Sequence, residues 1–175
     1  MTDNFTISSI TSTTIDAHLT DLAALLKVNV EDGASVSFIL PFSQDDATAF
    51  WANKIKPSLQ ADNCILLVAM LNNELAGCVM LDYDMPVNQP HRADIAKLLV
   101  HPKFRRRGIA RALMVEIEQQ AMVQKRSTLV LDTANKAAEI LYESLGYQPA
   151  GSIPNFGLNA QNLQLEPTTI MYKLL

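Results

Sequence analysis

The stretch that decides the fold is Val100-His-Pro-Lys-Phe-Arg-Arg-Arg-Gly-Ile-Ala-Arg111. The segment Arg92–Val100 precedes it and is predicted to be a strand, which ends at His101-Pro102 because proline cannot donate to a β-ladder. A helix is predicted over 108–125. Its apolar residues recur every four positions, at Ile109, Leu113, Ile117 and Ala121. A strand, a short basic loop and a strong helix therefore follow one another here.

The start of that helix has the chemistry of an anion site. The first N–H groups of a helix have no partner within it, and the helix dipole makes this end positive. Gly108 and Ala110 carry little or no side chain, so a ligand can approach the backbone closely, and Arg105, Arg106 and Arg107 stand beside it. These features predict a pyrophosphate site. The alternative is an ordinary solvated basic helix start. It is weakened because the chain has no G-x-G-x-x-G and no G-x-x-x-x-G-K-S/T loop.

Outward from this centre, apolar spacing predicts a mixed order of strands and helices. Further strands are predicted over Phe5–Ile10, Cys64–Leu71, 74–83, 127–133 and 168–174. Further helices are predicted over 15–30, over 43–56 with a stop at Pro57, and over 135–145. Asn72 and Asn73 are typical of a hairpin turn, and 151–166 has the composition of an irregular segment. This order predicts one α/β domain over 1–175 with a mixed sheet.

Composition excludes several classes of protein. A length of 175 residues fits one domain. A net charge of -4 argues against non-specific nucleic-acid binding, which needs basic surface. The longest apolar run, Cys64–Leu71, is far shorter than the ~20 residues that span a bilayer. Residues 1–10 lack a signal-peptide pattern. The two cysteines, Cys64 and Cys78, indicate neither a metal site nor a disulfide framework. Taken together, these features predict a cytoplasmic protein without metal, membrane or nucleic-acid partners.

Two motifs together resemble one known family. Arg105-x-x-Gly108-x-Ala110 is similar to the acetyl-CoA signature Gln/Arg-x-x-Gly-x-Gly/Ala of the GNAT superfamily of N-acetyltransferases. Asn135-Lys-Ala-Ala-Glu-Ile-Leu-Tyr-Glu-Ser-Leu-Gly-Tyr147 resembles that family's second signature, N-x-x-A-x-x-L-Y-E-x-L-G-F/Y. The resemblance implies a mainly antiparallel mixed sheet of about seven strands, helices on both faces and a splay between two central strands. It also implies acetyl-CoA as the acetyl donor and direct attack by an amine, without a covalent enzyme intermediate.

A narrower resemblance concerns the acceptor. The segments 33–38, 131–133 and 167–174 are similar to the GNAT subgroup that contains the tabtoxin resistance acetyltransferase. That resemblance implies a small-molecule primary amine as acceptor, including an amine-bearing toxin or antibiotic. A protein N-terminus or lysine as acceptor is an alternative, and so is a non-catalytic acyl-CoA sensor. The family occurs as monomers and homodimers, and both stay open here.

A lysine-type amine has a pKa near 10.4, so only about one part in a thousand or fewer is free base at pH 7. Catalysis therefore needs a base that removes the proton of the amine. It also needs a donor for the developing oxyanion and an acid for the departing thiolate. The resemblance implies Asp94 as the base, with a structural carboxylate paired to Arg92 or Lys97 as the alternative. A regular strand places Asp94 on one face with Ala96, Leu98 and Val100, although the family often bulges this strand. Asp132 is a second candidate base or a helix cap. Tyr142 is the candidate acid or a core aromatic.

The remaining candidates concern binding. By resemblance, the backbone around Leu98, Leu99 and Val100 pairs with the donor's pantetheine arm. The loop and helix start supply Arg105, Arg106, Arg107, Gly108, Ile109, Ala110 and Arg111 to the donor, with Asn135 and Tyr142 from the second motif. For the acceptor, Glu31 and Asp32 are predicted to attract an ammonium, unless they are solvated loop residues. Val36 and Phe38 are predicted to wall a pocket, unless they are core.

Overall fold

A seven-stranded sheet runs through the computed structural model, which describes residues 4–175. The prediction that residues 1–10 lack a signal-peptide pattern falls partly on residues 1–3, which lie outside the described residues. The strands are β1 (Phe5–Ile10), β2 (Cys64–Leu71), β3 (Glu74–Asp82), β4 (Arg92–Val100), β5 (Thr128–Thr133), β6 (Gln148–Leu158) and β7 (Leu165–Leu174), in the spatial order β1-β2-β3-β4-β5-β7-β6. The helices are α1 (Ile15–Glu31), α2 (Gln44–Phe50), α3 (Lys56–Gln60), α4 (Ile109–Val123) and α5 (Lys136–Ser144).

Helices cover both faces of this sheet, as predicted. One core contains Leu113 of α4 and Tyr142 of α5. The other contains Leu22 and Leu26 of α1, together with Trp51. We call these sides the α4 face and the α1 face. The predicted α+β architecture with about seven strands and a mixed sheet is confirmed. Within residues 4–175, no helix combines the length and the apolar character that crossing a bilayer requires.

The sheet opens at β4 and β5, the only parallel pair among residues 4–175. β4 and β5 pair over three positions, from Arg92 opposite Thr128 to Asp94 opposite Val130. Beyond Asp94 each strand keeps its antiparallel partner on the other side, β3 for β4 and β7 for β5. The far half of β4 therefore has a free edge toward β5, because no strand within the described range 4–175 pairs with that edge beyond Asp94. This is the predicted central splay.

A bulge in β4 changes which side chains share a face. Met80 of β3 pairs with Ala96, but Cys78 pairs with Leu99, so β4 has one extra residue between them. Lys97 lies at the bulge with φ 54°, in the left-handed region. Before the bulge Ala93 and Ile95 belong to the α4-face core, whereas after it Leu98 and Val100 do. The regular-strand expectation that Asp94 and Ala96 share a face with Leu98 and Val100 is therefore wrong, since the extra residue reverses the alternation.

The second helical region does not stop at Pro57. Between α2 and α3 the residues Trp51–Ile55 form a π-helical turn, and the Lys56 N–H bonds to the Trp51 carbonyl, five residues back. The helical axis resumes in α3, where Pro57 lies in the first turn. Proline has no N–H to donate, and the π-helical turn directly before it is where the regular hydrogen-bond pattern of this helical region is interrupted.

The segment 151–166 is not irregular, as its composition suggested. It contains most of β6 and the start of β7, which form a hairpin at the sheet edge. The register shifts twice, between Pro149 and Gly151 and between Ile153 and Gly157. Prolines and glycines are tolerated at such bulges and edges, so composition alone could not distinguish this strand from a loop. The predicted Asn72-Asn73 turn is confirmed, with φ of 53° and 63°.

Replacing Gly77 of β3 by alanine should destabilise the protein, because this residue packs closely against the backbone of β4 and the start of α4. Gly77 pairs with Val100, and a Cβ at this position would lie 2.7 Å from the Leu99 carbonyl oxygen and 3.3 Å from Ile109 Cγ2. Because backbone must move to relieve such a contact, we expect Gly77→Ala to lower the free energy of unfolding by about 1–3 kcal/mol. Thermal unfolding would measure this as a fall of roughly 2–4 °C in Tm per kcal/mol.

Gly157→Ala is the matched control for this prediction. Gly157 also lies in a strand, but a Cβ there has no heavy atom within 4 Å. We expect its unfolding free energy to stay within about 0.5 kcal/mol of the parent. Equal Tm values for the two variants would contradict a tight contact between β3 and the backbone of β4.

Candidate active site

A pocket of about 230 Å³ lies at the start of α4. We call it the loop pocket; it is lined by Val100, Phe104, Arg105, Arg106, Gly108, Ile109, Ala110, Arg111 and Leu141. Gly108 is the N-cap residue with φ 82°, and no side chain among residues 4–175 caps the helix. A Cβ on Gly108 would meet no atom within 4 Å, so the space above its backbone is open. The first N–H groups of α4 are thus left for a ligand, as the sequence predicted.

The arginines of this loop differ in their contacts. Arg105 donates from Nη1 to Asp32 Oδ2 at 2.5 Å and from Nη2 to Asn29 Oδ1 at 3.2 Å, which ties the loop to the end of α1. Arg111 donates to Ser144 Oγ at 2.5 Å, which ties α4 to α5. Arg106, at φ 65°, and Arg107 are exposed at the loop tip. The basic side chains therefore both hold the pocket together and surround it with positive charge.

A second cavity, of about 360 Å³, lies along the splay. We call it the strand cleft; it is lined by Asp82, Asp94, Ile95, Ala96, Val130, Leu131, Asp132 and Ile170. Three carboxylates thus surround one cleft, contributed by β3, β4 and β5. Such a set of negative charges attracts a cation, and an amine acceptor is a cation at neutral pH.

Asp94 lies in the strand cleft, where the splay begins. Its Oδ1 accepts a hydrogen bond from Arg92 Nη1 at 2.5 Å, so the alternative partner Arg92 is confirmed as a contact. Burial raises the pKa of the Asp94 carboxyl above its ordinary value, and the Arg92 guanidinium opposes that change only in part. The negative charges of Asp82 and Asp132 also raise this pKa. A carboxylate with a raised pKa is a better proton acceptor, which suits a base.

Asp132 is exposed and does not cap a helix. Its Oδ2 accepts a hydrogen bond from Thr168 Oγ1 at 3.0 Å. The cap of α5 is Asn135, whose Oδ1 accepts from the N–H groups of Ala137 and Ala138. The cap interpretation of Asp132 is therefore wrong, and Asn135 caps the helix instead. Asp132 keeps a free carboxylate oxygen beside Asp94, whereas the Oδ1 of Asn135 is already in use.

Tyr142 lies on the opposite side of the sheet from Asp94. It packs in the α4-face core with its ring centroid 5.9 Å from that of Tyr147. Burial, and secondarily the negative charge of Asp132, raises the pKa of Tyr142 to about 12. Its hydroxyl has no hydrogen-bond partner within the part of the chain that the structure describes. The candidate acid Tyr142 and the candidate base Asp94 thus lie on different faces of the sheet. The splay between β4 and β5 is the gap in the sheet that connects these two faces.

The predicted acceptor residues are only partly brought together. Glu31 is the last residue of α1 and forms an ion pair with Lys27, while Asp32 is paired with Arg105. Neither lines the strand cleft, and both carboxylates already have cationic partners, so no contact supports their predicted binding of an ammonium. Val36 packs against the α1-face core. Phe38 also contacts that core but remains partly exposed beside β4.

Three residues in or beside these cavities were not singled out from the sequence. Asp82 closes the acidic end of the strand cleft, and Leu141 lines the loop pocket next to Tyr142. Lys97 projects from the bulge, with its Nζ 5.7 Å from the ring centroid of Phe38 and 5.4 Å from that of Phe50. A lysine directly before the apolar run Leu98–Val100 of a strand was the available signal, since long charged side chains are rarely buried without a reason.

Comparison with known proteins identifies the family. Residues 29–147 match the model of the acetyltransferase (GNAT) family, which is more than half of the chain. The chain belongs to the GNAT family. It is an acyltransferase by that membership, and it is 36% identical over 101 residues to an acetyltransferase from Pectobacterium atrosepticum. The aligned part covers 57% of this GNAT chain and 68% of that protein.

Solved structures agree on the fold. A ribosomal-protein-alanine N-acetyltransferase from Brucella melitensis superposes with a TM-score of 0.78 at 21% identity, covering 97% of this GNAT chain and 99% of that one. A phosphinothricin acetyltransferase from Sinorhizobium meliloti, in complex with acetyl-CoA, gives 0.80 at 17% identity and covers 100% and 89%. Neighbours solved with acetyl-CoA bound are consistent with acetyl-CoA as the cosubstrate of this family member.

Proposed function

We propose that residues 1–175 form one catalytic domain that transfers the acetyl group of acetyl-CoA to a primary amine of a small molecule. The observation that carries the proposal is the arrangement of two cavities along β4. The loop pocket presents unpaired helix N–H groups at Gly108, and the strand cleft presents carboxylates at the start of the splay. One cavity suits a pyrophosphate and the other an ammonium.

Acetyl-CoA supplies the acetyl group as a thioester. The N–H groups at the start of α4 and the surrounding arginines hold its pyrophosphate, and each charge-assisted hydrogen bond contributes about 1.5–3 kcal/mol. The free edge of β4, from Leu98 to Val100, binds the arm of the donor through backbone groups. Asp94, with Asp132 beside it, accepts the proton of the amine. Tyr142 Oη holds a proton for the departing thiolate.

The size of the strand cleft supports a small acceptor. A volume of about 360 Å³ is at the lower end of small-molecule sites, which span roughly 300–1,000 Å³. The resemblance of 33–38, 131–133 and 167–174 to the tabtoxin resistance subgroup supports an amine-bearing toxin or antibiotic within that class.

The proposal is tested by acetyl-CoA-dependent thiol release with a panel of primary amines. The panel contains amino acids, polyamines, aminoglycosides, tabtoxin-like β-lactam amines and short peptides. Turnover of a small amine with none of the peptides supports the proposal. Turnover of peptides alone would indicate a protein acetyltransferase. Acetyl-CoA binding by calorimetry without turnover of any amine would indicate a sensor.

Asp94→Asn should remove the acidic limb of the pH profile. The active form of a base is the deprotonated carboxylate, so kcat/KM falls as pH falls through the pKa of Asp94. Because burial raises that pKa, the limb should lie above the ordinary aspartate range. We expect the variant to lose at least roughly 10²-fold in kcat/KM at pH 7, the lower end of what a general base contributes.

Asp82→Asn is the matched control, because it removes a carboxylate from the same cleft. The negative charge of Asp82 raises the pKa of Asp94, so its loss should move the acidic limb to lower pH without abolishing it. The assignment of Asp94 fails if Asp94→Asn retains the limb of the parent enzyme.

A further inference from the structure

The bulge of β4 carries a lysine that the proposed reaction does not use. In β4, Lys97 directly follows Ala96, which lines the strand cleft. Both residues come before the position at which the bulge reverses the alternation of side chains between the two faces of the sheet. Its side chain contacts Phe38 and Phe50, which pack with the α1-face core. Lys97 is therefore on the side of the sheet that carries Asp94, the side from which an acceptor reaches the splay.

The ammonium of Lys97 lacks an acceptor for its hydrogen bonds. Among residues 4–175 no oxygen accepts a hydrogen bond from its Nζ, which lies over the rings of Phe38 and Phe50. The two aromatic rings attract the positive charge through their faces, but a ring face is a poor substitute for an oxygen acceptor, and a lysine ammonium has three N–H donors. Partial burial removes much of the water that would otherwise bind these donors, and it lowers the pKa of Lys97.

Charges of opposite sign lie in the strand cleft and next to it: the carboxylates line the cleft, and Lys97 follows the lining residue Ala96 without lining the cleft itself. Asp82, Asp94 and Asp132 provide the negative charge. Lys97 provides positive charge beyond Ala96, close enough to Asp132 for that carboxylate to influence its pKa. The bulge produces this arrangement, because without the extra residue Lys97 would face the α4 core. A molecule that carries both an ammonium and a carboxylate matches this separation of charge, whereas a simple polyamine does not.

We propose that Lys97 binds a carboxylate of the acceptor, so that the substrate class is amino acids or other small amines that carry an acid group. This inference rests on the proposed acetyl transfer and narrows its acceptor. The ammonium of the substrate lies toward Asp94 and Asp132, and its carboxylate accepts hydrogen bonds from Lys97 Nζ. Phe38 and Phe50 hold the lysine side chain in place and exclude water from the pair.

The test compares acids with their carboxamides, which keep the amine and lose the negative charge. The probes are glycine, β-alanine, L-methionine, L-lysine and L-phenylalanine, each with its carboxamide, together with putrescine as an amine without an acid group. We expect the parent enzyme to prefer at least one acid over its carboxamide by tenfold or more in kcat/KM. Lys97→Met should reduce that preference by roughly 10- to 100-fold, the range for one charged hydrogen bond, mainly through KM.

Two further variants separate recognition from folding. Lys54 is an exposed lysine whose positive charge acts on Lys97, so Lys54→Met tests for a general change of local potential, and its acid preference should stay within about twofold of the parent. Lys97→Arg keeps a cation at the bulge and should keep most of the preference. Thermal unfolding of all three variants shows whether a change in preference accompanies a loss of structure.

The results that overturn the inference differ from those that overturn the proposed function. Carboxamides or putrescine acetylated as well as the acids, or equal losses on acid and carboxamide in Lys97→Met, would exclude a carboxylate subsite while acetyl transfer stands. Turnover of none of these probes with acetyl-CoA still bound would also reject the inference. Absence of acetyl-CoA binding in calorimetry would instead reject the proposed function itself.

Discussion

Gly108→Glu should abolish useful binding of acetyl-CoA, with an increase in Kd of at least about 100-fold. The new carboxylate would stand at the helix end where the pyrophosphate is expected, and it would compete for the same N–H groups while repelling the ligand. Loss of even one charge-assisted hydrogen bond corresponds to roughly 10- to 150-fold in affinity. Calorimetric titration with acetyl-CoA measures the change directly.

Gly108→Gln is the control for this experiment, because it has the size of glutamate without its charge. Both variants place a side chain at φ 82°, where an L-residue costs roughly 1–2 kcal/mol, and both find open space around Cβ. Their thermal unfolding should therefore be similar, with weaker binding in the glutamate variant. A Kd for Gly108→Glu within threefold of the parent would show that the loop pocket does not bind the pyrophosphate.

Tyr142→Phe should lower kcat by about 100-fold and leave the Kd of acetyl-CoA nearly unchanged. A positioned acid contributes roughly 10²–10⁴ to a rate, and the Tyr142 hydroxyl has no partner within the described residues that would indicate a purely structural role. Because burial raises its pKa to about 12, the phenol stays protonated throughout the pH range of an assay. The parent enzyme should accordingly show no alkaline loss of activity from this group below about pH 10.

Tyr172→Phe provides the comparison, since it removes another tyrosine hydroxyl in the same chain. Tyr172 lies in β7, and its hydroxyl donates to Gln148 Oε1 at an exposed position, 2.9 Å away. Its kcat should match that of the parent. Full turnover by Tyr142→Phe would end the acid assignment and leave Tyr142 as a core aromatic.

The loop pocket could be predicted from sequence because its signals are local. A helix pattern that begins at Gly108, a strand that ends before Pro102 and neighbouring arginines all lie within one short stretch. The motif around Asn135 and Tyr142 is local in the same way. What the arginines contact was not readable, because Arg105 pairs with Asp32, a residue 73 positions away in the chain.

The acceptor side could not be predicted to the same depth, since it depends on strand register. The bulge at Lys97 is set by how β4 pairs with β3, and a one-residue change reverses every side chain that follows. Asp82 joins the cleft only through that pairing, where it lies opposite Asp94. Similarly, β6 forms a strand because it pairs with β7 at the edge of the sheet, where prolines are tolerated. The composition of β6 alone does not indicate this pairing.

The splay between β4 and β5 also affects how firmly the molecule holds together. Three residue pairs, from Arg92 to Asp94 on one strand, join two parts of a seven-stranded sheet. A ligand that bridges the gap and binds only the folded chain adds stability by mass action, about 2.7 kcal/mol at 100 times its Kd. If acetyl-CoA bridges this gap, part of the free energy of folding depends on the concentration of the cosubstrate, and the Tm of the protein should rise with added acetyl-CoA.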